Sequence, residues 1–513
     1  MENLTQAAQE LIAAVEKNYQ EKLSWEREPK IHSRETISFF AFLYERLRNF
    51  VDYQEEHLLR RRAIQRALNR RLLFPQPAEN TAQGLILELI RARYLPNNTI
   101  SQRKILEIAK IIEKCLNLIK TIPNLRDLLI SLAAREIEEN LVLDNELPLL
   151  LFAQKVFKNK LLVKDDVSLF IALEEALSRA DEATIRHHLL RLTISDWDNL
   201  SEDQILSLSQ KINQVNQEIS NRLASPEKEP LVRRLRHEIA PYVILRDIIS
   251  QNEGTLAKIL ADPELLQKTV SQVASARYRK AATNLRTAAI QSFIYIFLTK
   301  MLFAFIIEIP YDLYVLGRFK LLPLVINLLF PPVFMLVTTQ TVTVPGLTNT
   351  QRIIRELKSA VYSQPGISIP RIAIDFLGRV RPFLDLTFTL LYILTFVIVF
   401  GGVIFLLNKL EFSIASMAVF FFFVSTVAFF AFRIRRNFGD LTISEEKEGL
   451  LAGLFNFISY PFIRLGHLFS QALSQFNIFI LILDLLIEAP LKMLLELIEE
   501  WFAFIRQKQE EIL

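Results

Sequence analysis

The chain has 513 residues, 51% hydrophobic and 23% charged, with a formal net charge of +4, one cysteine and twelve glycines. This length supports two or three domains with ordinary cores, and the small net charge excludes a strongly basic nucleic-acid binder. Cys115 alone excludes an intrachain disulfide, a thiol zinc ribbon and a redox couple.

The opening stretch MENLTQAAQELIAAVEKNYQ lacks a basic n-region followed by an apolar h-region, so no signal peptide is expected. Residues 1–286 read as a succession of amphipathic helices, since apolar residues recur at spacings of three and four and period-two alternation is nearly absent. A long helix is predicted from Ser33 to Phe74, with an inward stripe through Ile37, Phe40, Tyr44, Leu47, Val51 and Leu58, ending before Pro75 and Pro77. Turns are expected at Pro96-Asn97-Asn98, Pro123, Asp144-Asn145, Asp165-Asp166 and Ser195-Asp196. These breaks define residues 1–75 and 76–286 as helical units, a bundle or an irregular α-solenoid.

After the basic approach Arg277, Arg279, Lys280 and Arg286, charges become scarce. Residues 287–440 carry four expected spans, 288–307, 321–338, 385–407 and 413–432, each near the ~20 residues a bilayer requires. The second is short and interrupted by Pro323, Pro331 and Pro332. Basic residues flanking the spans favour one side, which by the positive-inside rule puts the N-terminal region, the 339–384 loop and the chain after Arg436 in the cytosol.

The tail, 441–513, reads as amphipathic helices at the membrane surface or covering the bundle. Asp484, Glu488, Lys492, Glu496 and Glu500 draw one polar stripe, and Trp501 suits the headgroup boundary. The alternative is a fifth span through 476–496, which buries Asp484 and Glu488 at roughly 2.5 kcal/mol or more apiece.

The strings FLTKMLFAFIIEIPYDLYVLG, INLLFPP, RIRRNF, DLLIEAP and EEWFAFIR resemble those of a family of multi-span membrane proteins from bacteria of the ultrasmall, candidate-phyla type. The likeness covers mainly residues 290–510. It implies a bacterial plasma-membrane location and supplies no activity, cofactor or site residue.

Lys300 lies inside the first span, its Cα roughly 10 Å below the outer boundary at 1.5 Å per residue. It needs a partner, and Glu308 lies two turns along. A substrate, lipid-headgroup or ion contact is the functional reading; a structural ion pair is the alternative. In the second span, Pro331 frees the carbonyl of Asn327 and Pro332 that of Leu328, as in helices broken for ion or substrate binding, although a plain kink is commoner.

Arg62, Arg66 and Arg70 share a helix face that could meet phosphate, but a solvated face is the favoured reading. His187 and His188 are adjacent and are expected to diverge on a helix rather than chelate together. With no phosphate loop, nucleophile elbow or dinucleotide fingerprint, the sequence predicts no catalytic residue, metal or cofactor.

The expected protein is an all-α, non-enzymatic membrane protein whose cytosolic helical region recruits a partner protein, with self-association as another option. A transporter, channel or lipid-handling protein using Lys300 and the Pro-containing span is the alternative, and an unrecognised hydrolase or transferase comes third. The bilayer is the remaining partner, and nucleic acid is not expected.

Overall fold

The structure, a computed structural model, describes residues 4–33, 56–73, 76–160, 165–194, 197, 202–225, 228–317, 320–340, 345–362, 382–439, 450–475, 501 and 505. These contain eighteen α-helices and no β-strand. The predicted turns at Pro96, Pro123, Asp144 and Asp165 all fall between helices. Residues 34–55 of the predicted long helix, Pro75 and the Ser195-Asp196 site lie outside the described residues.

The N-terminal region begins with α1 (Gln6–Glu26), capped by the Thr5 side chain, which accepts from Ala8 N. Its buried Ala8, Leu11, Ile12 and Val15 recur at helical spacing and pack on α6 (Glu146–Lys160). The middle of the region is layered. Helix α2 (Glu56–Arg71) packs between α3 (Ala78–Arg91) and α5 (Arg126–Leu141), and α4 (Arg103–Thr121) packs on both of those. Next come α7 (Asp166–Leu173), α8 (Glu182–Thr193), α9 (Glu202–Leu223), α10 (Lys228–Arg236), α11 (Ala240–Gln251) and α12 (Leu256–Ala261). Asp165 and Asp181 begin α7 and α8 by accepting backbone hydrogen bonds from Val167 and Thr184. Leu, Ile and Ala dominate one continuous core. Fully burying each Leu or Ile contributes roughly 1.5–3 kcal/mol.

Helix α13 (Pro263–Phe303) changes environment along its length. Asp262 caps it, accepting from Glu264 N and Leu265 N, and Pro263 occupies the first turn. Leu266, Val270, Val273, Ala274 and Tyr278 belong to the N-terminal core, whereas Ile294, Leu298 and Leu302 are exposed apolar residues. The 286/287 boundary read from composition therefore falls inside one continuous helix about 60 Å long.

Four helices are long and apolar enough to cross a membrane, the mark of a multi-pass membrane protein. They are α13 with its extension to Val315, α14 (Leu321–Gln340), α16 (Pro382–Lys409) and α17 (Ile414–Gly439). Leu390, Leu394, Val397, Phe405 and Leu406 of α16 are exposed, as a lipid-facing surface requires. Helix α14 runs unbroken through Pro331 and Pro332, so the interruption expected there is absent. Helices tolerate proline where neighbours and local adjustment satisfy the freed carbonyls.

Between the second and third apolar helices, α15 (Leu347–Val361) returns to the N-terminal core. Ile353, Leu357 and Val361 are fully buried there, and Thr5 N donates to Val361 O at 2.8 Å. Lys160 Nζ meets Glu356 Oε2 at 2.9 Å, and Asn349 Nδ2 donates to the Tyr278 hydroxyl at 2.8 Å. This segment therefore lies on the same side as the N-terminal region. Lastly, α18 (Leu450–Gln475) packs on α17 and α16. It crosses α17 where a Cβ on Gly466 would stand 2.1 Å from Ser425 O, so only glycine allows that approach.

Candidate functional site

The apolar helices enclose a small polar centre. Lys300 Nζ donates to Glu308 Oε1 at 2.8 Å, and both side chains are buried. In a regular α-helix, eight residues advance about 80° beyond two full turns. The π turn Ala304–Glu308 removes that offset: its i→i+5 bonding takes up an extra residue and swings Glu308 back toward Lys300. A second π turn, Tyr311–Val315, follows Pro310.

Helix α14 brings Asn327 against this pair. Its Nδ2 donates to Glu308 Oε2 at 2.6 Å and to Ser416 O, at the start of α17, at 3.0 Å. Lys300 Nζ also lies 4.9 Å from the centre of the Phe423 ring. One cation, one anion and one amide thus join three apolar helices. Asn327 Oδ1 is buried without a hydrogen-bond partner. Pro331 and Pro332 stand one turn further along α14, where Pro331 frees the carbonyl of Asn327.

The predicted arginine face on α2, Arg62, Arg66 and Arg70, is half-buried, and its Arg70 is committed to a carboxylate rather than to phosphate. Arg70 forks onto Glu88 at 2.6 and 2.7 Å, and Arg71 also reaches Glu88, at 3.2 Å. Arg60 Nε meets Glu138 Oε1 at 3.0 Å, Arg61 pairs with Asp181, and Arg62 and Arg66 are half-buried. The cause is tertiary: α2 packs between two helices whose carboxylates face it.

A second polar centre, which the sequence reading missed, lies between α5 and α8. On α5, Arg135 reaches Glu138 Oε2 at 2.9 Å and Glu139 Oε1 at 3.1 Å, one helical turn ahead. Asp144 and Glu146 stand at 3.6 and 3.8 Å from its other nitrogen. Burial opposes the Arg135 charge, but these four carboxylates hold its pKa well above the usual value. Burial likewise opposes the Glu139 charge, while His187 and Arg135 hold its carboxyl well below the usual range. Burial, with the neighbouring Asp144, pushes Glu146 up to about 7.

His187 and His188 were expected to diverge, yet both meet Glu139. His188 Nε2 lies 2.6 Å from Glu139 Oε1 and His187 Nδ1 lies 3.6 Å from the same atom, too far for a hydrogen bond. They converge because one residue uses its far nitrogen and its neighbour the near one. His188 Nδ1 is held by Glu174 Oε1, from the π turn Glu174–Ser178. Burial acts to lower the His188 pKa, but Glu174 and Glu139 drive it up to about 10. The adjacent histidines were the only signal in the sequence; their partners come from segments 14 and 49 residues away.

Asp484, Glu488 and Lys492 lie outside the described residues, whereas Trp501 is helical and exposed. No protein-family model, curated protein or solved structure matches the chain.

Proposed function

We propose that the chain is a non-enzymatic membrane scaffold whose N-terminal helical region holds a partner protein at the bilayer surface. The observation that carries this reading is the double tether. Helix α13 runs from the N-terminal core into the first span without a break, and α15 returns from the second span into the same core. A domain joined to a membrane through one rigid helix and one packed return is fixed in height and orientation, which suits presentation of a surface. Basic flanks support a cytosolic N-terminal region, and the family resemblance supports a bacterial plasma membrane. The exposed Trp501 fits a tail lying at the headgroup boundary.

The test uses photo-crosslinking residues at Leu106 and Leu192, two exposed apolar positions on the N-terminal region, in cells making the full chain. A discrete crosslinked partner is expected, retained by Lys300→Met protein that remains folded and inserted. Absence of any discrete partner, or loss of the crosslink on Lys300→Met alone, overturns the scaffold.

One observation favours a transporter or lipid-handling reading instead: the unpartnered Asn327 Oδ1 beside a buried Lys–Glu pair. That reading requires ion or lipid movement in proteoliposomes that Asn327→Ala abolishes. The scaffold requires none.

A further inference from the structure

The second polar centre carries more acid than base. Glu138, Glu139, Asp144, Glu146 and Glu174 face Arg60, Arg135 and Arg191, so five carboxylates stand against three guanidiniums. With His188 protonated between two carboxylates the formal excess is one negative charge, and a divalent cation that takes the place of that proton leaves the group neutral. Glu139, His187 and His188 offer ligand atoms that all lie within 4.8 Å of one another. A tetrahedral or octahedral ion with bonds of about 2.1 Å holds neighbouring donors about 3–3.5 Å apart, so a small closure of these side chains suffices.

Two further observations point to a ligand. His187 is wholly buried, and neither ring nitrogen has a hydrogen-bond partner, although Nδ1 is aimed at Glu139. A buried, unsatisfied imidazole costs free energy that a purely structural cluster has no reason to bear. His188 has the arrangement usual for a metal-bound imidazole: one nitrogen is held by the Glu174 carboxylate and the other faces the prospective ligand set.

We propose that Glu139, His187 and His188 bind one divalent transition-metal cation of the zinc type, with Glu174 as the positioning residue for His188. Imidazole and carboxylate donors suit borderline cations and disfavour Mg²⁺ or Ca²⁺, which select oxygen ligands. Arg135 shares Glu139 Oε1 at 3.1 Å, but Glu138, Asp144 and Glu146 remain to hold the guanidinium when Glu139 turns to the metal. Binding displaces the proton between His188 Nε2 and Glu139 and clamps α5 to α8. Arg191 Nη1, 3.1 Å from Glu139 Oε2 and partly exposed, marks the side from which an ion enters.

The test takes the full chain in detergent without a polyhistidine tag, strips it with chelator, and titrates it with Zn²⁺ and with Co²⁺. One equivalent per chain is expected, raising the thermal midpoint. The Co²⁺ form should show ligand-field bands without the thiolate charge-transfer band that Cys115 would add. His187→Leu fills the same buried space without an unsatisfied nitrogen, so it should fold and lose binding. Glu139→Gln should do likewise, and Glu174→Gln should weaken binding about 10- to 100-fold. The site is refuted by stripped wild-type protein that binds no Zn²⁺ saturably. Undiminished binding by folded His187→Leu protein refutes it equally.

Discussion

In the N-terminal region Arg135 is ringed by four carboxylates and shares Glu139 with two histidines. Among the apolar helices Lys300 has one carboxylate, with one amide bound to that carboxylate and one aromatic face. Both centres use a π turn to place an acid, Glu174 in the first and Glu308 in the second. They differ in balance. The N-terminal centre reaches solvent past Glu139 and Arg191, so water relieves part of its excess charge. The centre at Lys300 lies among helices whose outer faces suit lipid, where nothing relieves an unmatched charge, and it is neutral overall. Packing differs in the same sense. The N-terminal core is mostly Leu, Ile and Ala, whereas the apolar helices meet through phenylalanine pairs such as Phe303–Phe423 and Phe400–Phe421, and through Gly466.

The sharpest way to break this comparison is Arg135→Leu, which takes the cation from Asp144 and Glu146 and leaves Glu138 and Glu139 to Arg60 and Arg191. We expect a loss of about 5 kcal/mol, the upper end for an orphaned buried charge, in chemical unfolding followed by the helical signal. A loss under about 1 kcal/mol means that protonation, rather than Arg135, compensates the acids.

Lys300→Met should cost about 3 kcal/mol, less than Arg135→Leu because only one carboxylate is stranded. Adding Glu308→Gln should restore part of it, since the amide needs no cation. Strictly additive losses in the double-mutant cycle count against the pair as a unit.

The smallest effect concerns Glu146 and tests whether the N-terminal centre is overcharged. A carboxyl raised from 4.5 unfolded to about 7 folded keeps its proton only in the folded state across that window. Its contribution to stability therefore falls as pH rises from 4.5 to 7, and the loss is complete above 7. Glu146→Gln should gain on the order of 1 kcal/mol at pH 8 and nothing at pH 4. An equal gain at both values removes titration as the cause.

Much of the fold was legible along the chain. Spacings of three and four, scarce glycine, and proline or aspartate breaks predicted helices and their ends, because a helix needs only neighbours in sequence to form its hydrogen bonds. Four apolar stretches predicted four helices able to cross a membrane, and for 321–338 the bounds agree with the structure. Lys300 was conspicuous because charge is rare in such a stretch, and Glu308 was the acid within reach. Tertiary structure decided how these residues are used. The π turn that rotates Glu308 onto Lys300, Asn327 completing the carboxylate, and α15 returning to the N-terminal core all depend on contacts between distant segments. The same holds for Arg60, Arg61 and Arg70 meeting carboxylates of other segments, and for His187 and His188 closing on Glu139. Periodicity tells which face of a helix is polar, but the partner of a buried charge is fixed only when helices pack and its desolvation must be offset.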